Sequence, residues 1–122
     1  MVNELDSEEL KARLERKEKF RLIDVREKDE FEAGHIPGAE SIPLSSFKEN
    51  YSKLLTDPNE ELVTTCRSGG RSMAAAMFLE SRGFNKLSNH EGGASEWHLN
   101  EFPLTGEGKV IPSSLRHMPN LT

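Results

Sequence analysis

The chain has 122 residues, 16 basic and 21 acidic, for a net charge of −5; that suits one domain and argues against a general nucleic-acid-binding role. Its one cysteine excludes an internal disulfide and fits a reducing compartment. The acidic start MVNELDSEEL lacks the apolar core of a signal peptide, and no apolar run approaches the ~20 residues that span a bilayer, so a soluble, cytoplasmic protein without membrane partners is expected.

Val2 to Leu5 reads as a short edge strand. Asp6 followed by Glu9 has capping-box spacing and opens a helix through about Lys17, with Leu10 and Leu14 on its buried face. FRLIDV (20–25) is an apolar, β-branched run and predicts a strand. Glu27 to Gly34 follows as a short helix, with Pro37 preventing its resumption. Ala39 to Ile42 is a second short strand, and Ser45 to Leu55 carries Phe47, Tyr51, Leu54 and Leu55 at helical spacing before Asp57-Pro58 ends it. ELVTT (61–65) is another strand.

From Arg71 to Ser81 alanines, methionines, Phe78 and Leu79 predict a helix, with Gly83 just past its end. FNKLS (84–88) predicts a further strand, His90 to Gly93 a turn, and Ala94 to Leu99 a last helix. Residues 1–104 then form the domain and 105–122 a polar C-terminal tail. Strands alternating with helices imply an α/β fold, a parallel sheet of four to five strands with helices on both faces. Ligands of such sheets sit at the carboxyl ends of the strands, where Cys66 lies.

Cys66 opens the stretch CRSGGRS (66–72). A lone cysteine is by default a small buried hydrophobe. A thiol ionises more readily, however, at a helix N-terminus or beside a cation, and this stretch offers both. Gly69 and Gly70 permit the positive φ angles that gather successive N–H groups into an anion-binding nest, and Ser68 and Ser72 lie within the same loop and helix start. Arg67 and Arg71 add forked cationic donors. Together they would stabilise the Cys66 thiolate and hold an anionic substrate against it. Phosphatases with a cysteine nucleophile place five residues between cysteine and arginine; here four separate Cys66 from Arg71. The tighter loop leaves less room for a tetrahedral phosphate and favours sulfur over phosphorus.

LIDVRE (22–27) with FEAGHIPGAESIP (31–43), TTCRSGGRS (64–72), and LSNHEGGASEW (87–97) with Pro103 together resemble single-domain rhodanese-like sulfurtransferases over most of residues 2–104. The resemblance implies the rhodanese fold and Cys66 as the catalytic residue, which becomes a persulfide. A small anionic donor such as thiosulfate supplies the sulfur, and cyanide, a thiol or a protein sulfur acceptor takes it. The loop N–H groups of 67–72 and the two arginines then bind substrate, and no cofactor is called for.

Other polar residues have plainer roles. Asp24 and Arg26 read as a salt bridge tying strand to loop, and His35 as a turn residue bonded to backbone. His90 and Glu91 read as a solvated loop at the sheet's active end, and Trp97 and Phe102 as core. Histidines 35, 90, 98 and 117 lack zinc-site spacing, so no metal is expected. Two other functions share the same anion cradle: a cysteine-dependent arsenate reductase or phosphatase, and a non-catalytic binding module.

Overall fold

The computed structural model describes residues 1–106 and the backbone of 109–111. Strands β1 (Val2–Leu5), β2 (Arg21–Asp24), β3 (Glu40–Ser41), β4 (Leu62–Thr65) and β5 (Leu87–His90) form one parallel sheet in the order β1-β5-β4-β2-β3. Helices α1 (Ser7–Glu15), α2 (Lys28–Ala33), α3 (Phe47–Leu54), α4 (Gly70–Ser81) and α5 (Gly93–Leu99) connect and cover it. A 3-10 turn, Leu44–Ser46, leads into α3. The tail expected over 105–122 lies mostly outside the described residues. Its first two residues complete β6 (Leu104–Gly106), which pairs antiparallel with β7 (Lys109–Ile111).

Side-chain alternation along the central strands builds two cores. Ile23 and Leu62 point to one face with Phe47, Ala75, Leu79 and Phe84. Leu22 and Val63 point to the other with Leu10, Ala94, Trp97 and Leu104. Trp97 is buried and its Nε1–H donates to the Pro103 carbonyl at 2.7 Å, while Phe102 stands edge-on to it. The helix boundaries follow local chemistry. The Asp6 carboxylate accepts from the Glu9 N–H at 2.8 Å and caps α1, and Glu27 and Glu30 exchange backbone bonds in a capping box that opens α2. At the end of α4, Gly83 adopts φ +92°, its N–H bonds Glu80 O and the Phe84 N–H bonds Leu79 O, a Schellman stop.

That stop accounts for the one displaced strand. Phe84 belongs to the helix terminus and the core, so the strand predicted at 84–88 begins later and runs through His90. The segment Ser88-Asn89-His90 reads as polar but is buried, because β5 lies between β1 and β4. His90 is therefore not in a solvated loop. Its ring is fully buried, with Nε2 2.7 Å from Ser7 Oγ and Nδ1 2.9 Å from Thr65 Oγ1. Burial pushes its pKa down from 6.5 to about 4.

This shift has a signed consequence. A histidine whose folded pKa is depressed favours the native state fully above the unfolded pKa, and that advantage is lost as pH falls. The window here runs from pH 6.5 to about 4, and the loss amounts to about 3 kcal/mol. Urea midpoints measured across that range should fall in the wild type, and the fall should shrink in His90→Gln. Equal pH slopes in the two proteins would refute the assignment.

Asp24 and Arg26 form the salt bridge expected of them, and the structure buries the pair. Arg26 Nη2 lies 2.9 Å from Asp24 Oδ2 and 2.6 Å from the Gly34 carbonyl. It ties the end of β2 to the turn after α2.

Candidate active site

Cys66 follows the last residue of β4 and is 1% exposed. The chain then turns through Arg67, Ser68 and Gly69 into α4. Gly69 is the N-cap residue, with φ +96°, and a Cβ there would lie 2.2 Å from the Glu91 carbonyl oxygen. Gly69 and Gly70 both permit positive φ; only Gly69 adopts it, because Gly70 is already the first helical residue. The sequence thus needs glycine at 69 for two independent reasons, dihedral and space.

What turns the loop amides inward is α5. The Ala94 N–H bonds the Cys66 carbonyl at 2.8 Å and the Ser95 N–H bonds the Arg67 carbonyl at 2.9 Å. These helix-start donors, which would otherwise be orphaned, draw the loop carbonyls away from the sulfur. Gly93 makes the approach possible: at φ +62°, it has no Cβ to strike Arg67 O, which would lie at 2.4 Å. With the carbonyls held outside, the Gly69 N–H reaches Cys66 Sγ at 3.1 Å and the Ser72 N–H at 3.4 Å. Ser72 Oγ stands 3.3 Å from the same sulfur.

These contacts decide the ionisation of the thiol. Burial alone pushes the Cys66 pKa up, but hydrogen bonds from the Ser72 hydroxyl and from the N–H groups of Ser72, Ser68 and Gly69 outweigh it, and the net shift is downward. Cys66 is buried, as any free cysteine tends to be, yet its neighbouring peptide hydrogens face it. A purely structural cysteine would not need that arrangement.

The two arginines are placed differently from one another. Arg71 extends from the first turn of α4 to α2, where Nη1 meets Glu30 Oε1 at 2.8 Å and Nη2 meets Oε2 at 3.0 Å. Arg67 is half-buried in the loop, its carbonyl held by α5. His35 stacks on Phe31, and its Nδ1 lies 2.7 Å from the Phe31 carbonyl, the backbone-bonded turn role expected of it.

Asn89 was not singled out in the sequence, and it supports the whole loop. Its Nδ2 hydrogens go to Glu4 Oε1 at 2.9 Å and to the Gly69 carbonyl at 3.2 Å, which leaves Oδ1, 2.6 Å from Ser72 Oγ, as a second acceptor for the one hydroxyl hydrogen that Sγ also faces. Thr64 Oγ1 donates to the Ser72 carbonyl at 3.0 Å. The only signal was the polar triplet Ser88-Asn89-His90 at the end of a predicted strand; the sheet order buries it between β1 and β4, where polar groups require partners.

Comparison with known proteins agrees with this geometry. The family model for the rhodanese-like domain matches residues 6–100. A protein of Allochromatium vinosum named sulfurtransferase is 36% identical over 104 residues, covering 85% of this chain and 95% of its own. A candidate sulfur carrier of Bacillus subtilis, YrkF, is 34% identical over 96 residues; the match takes in 79% of this chain but only 51% of that longer protein. Among solved structures, the rhodanese-like domain of the Anabaena protein Alr3790 superposes with a TM-score of 0.78 at 29% identity, over 87% of this chain and 80% of its own. The human single-domain sulfurtransferase superposes with a TM-score of 0.71 at 31% identity, over 83% and 99%. A parallel five-stranded sheet, a cysteine at the end of its central strand and a family match across 6–100 meet in one conclusion: the chain belongs to the rhodanese-like domain family of sulfurtransferases and sulfur carriers.

Proposed function

We propose that the protein is a sulfurtransferase that carries sulfane sulfur as a persulfide on Cys66. The observation that supports this reading is the pair of backbone donors on Sγ, the N–H groups of Gly69 and Ser72. They favour the thiolate, the form that can attack.

In the first half-reaction the Cys66 thiolate attacks the outer sulfur of thiosulfate or of a persulfide donor. A new S–S bond forms on Cys66, the donor's S–S bond breaks, and the electron pair leaves with sulfite or a thiolate. The persulfide keeps one negative charge, and the loop amides that held the thiolate are placed to hold it. In the second half-reaction cyanide or a thiolate attacks the terminal sulfur, forming thiocyanate or a new persulfide and returning Cys66 as thiolate. Charge balances in each step without metal or cofactor, and no proton needs a dedicated base. A thiol on a partner protein is an acceptor of the same chemistry.

Intact-mass measurement tests this directly. Incubated with thiosulfate and without reductant, the protein should gain the mass of one sulfur atom, and prior alkylation of Cys66 should block the gain. No gain with thiosulfate or with a persulfide donor, or robust Cys66-dependent turnover of an aryl phosphate or arsenate, would reject the proposal.

A further inference from the structure

Arg71 is held by a carboxylate that the proposed chemistry does not use. Glu30 receives both Nη groups in a forked pair at 2.8 and 3.0 Å, and its Oε1 also accepts the Glu27 N–H at 3.0 Å. The pair is mostly shielded, with side chains 34% and 15% exposed, so it is fixed from both sides by the capping box and the fork. It stands beside the sulfur site: Arg71 directly precedes Ser72, whose N–H and Oγ touch Cys66 Sγ, and its guanidinium is close enough to Cys66 to interact with the thiolate charge. The nearby Arg26 is likewise matched, by Asp24. Hydrogen-bond donors thus surround the sulfur, while the positive charge of these two arginines is cancelled by carboxylates next to it.

We infer that Glu30 is a specificity-determining residue that makes the cradle selective against dianionic sulfur donors and toward hydropersulfides. The inference rests on the sulfurtransferase reading and deepens it. Thiosulfate brings two negative charges, and its sulfonate oxygens compete with the Glu30 carboxylate for the Arg71 fork. A hydropersulfide anion brings one charge, located on the sulfur that the amide ring already accommodates. Like charge beside a dianion raises the energy of its complex more than that of a monoanion, in proportion to charge. Neither donor is excluded; the ratio between them is set by Glu30.

The experiment compares wild type, Glu30→Gln and Glu30→Asp. Glutamine keeps the size and an acceptor for the Glu27 N–H and removes the charge. Aspartate keeps the charge. The kcat/KM ratio for thiosulfate over cysteine hydropersulfide should rise on the order of fivefold in Glu30→Gln, mainly through a lower KM for thiosulfate. It should stay near the wild-type value in Glu30→Asp, and the gain should contract at high ionic strength. A second readout is independent of sulfur transfer. Alkylation of Cys66 by iodoacetate, an anion, should accelerate relative to neutral iodoacetamide in Glu30→Gln by a similar factor. The ratio cancels any change in thiolate population common to both reagents.

Unchanged donor and alkylation ratios in Glu30→Gln would overturn the inference, as would an equal rise in Glu30→Asp. A shifted alkylation ratio in a protein that accepts sulfur from neither donor would sink the sulfurtransferase reading while leaving Glu30's control over anions intact.

Discussion

Cys66→Ser is expected to fold normally and to take up no sulfur from thiosulfate or a persulfide, with transfer lowered by more than about a thousandfold, the scale of losing a catalytic nucleophile. Fold and chemistry separate at this position because the surroundings suit either atom. A serine oxygen can accept from the same Gly69 and Ser72 N–H groups that reach Sγ, so the stability change should stay within about 1 kcal/mol. The chemistry does not survive. A hydroxyl is far harder to ionise than a thiol, and no S–S bond can form on oxygen. Denaturation midpoints and intact mass together check both halves. Sulfur uptake by the serine protein would place the reacting group elsewhere, and a serine protein that fails to fold would assign Cys66 a packing role.

Gly69→Ala is expected to cost both stability and activity, whereas Gly70→Ala costs little of either. At φ +96° an L-residue pays about 1–3 kcal/mol in backbone energy alone. The added Cβ would also lie 2.2 Å from the Glu91 carbonyl oxygen, which is backbone and cannot swing aside. The loop must therefore move, and the moving residue carries the N–H closest to the sulfur, 3.1 Å from Sγ. A misplacement of about 1 Å in a catalytic array costs on the order of a hundredfold in rate. The thiol pKa should rise as well, because a hydrogen bond that lowers it is lost. At Gly70, a helical residue, a Cβ meets nothing within 4 Å. Alkylation rate against pH and sulfur loading will report the contrast. Two alanine variants of equal activity would remove Gly69 from the site.

The architecture was legible from the sequence because its causes are local. Apolar β-branched runs at 20–25 and 61–65 made strands, Asp6 capped a helix, and Gly83 stopped one. The placement of the lone cysteine after a strand and before a helix followed from the same punctuation, while the family was marked separately, by the resemblance of its motifs. What the chain could not disclose by itself was which distant groups meet. Asn89 supports the loop and His90 is buried only because β5 is sandwiched between two parallel strands. Arg71 reaches Glu30, 41 positions away, and the amides face the sulfur because α5 pulls the opposing carbonyls outward. Strand and helix periodicity depends on neighbours a few residues apart, whereas hydrogen-bond direction and charge pairing depend on how the sheet orders its strands.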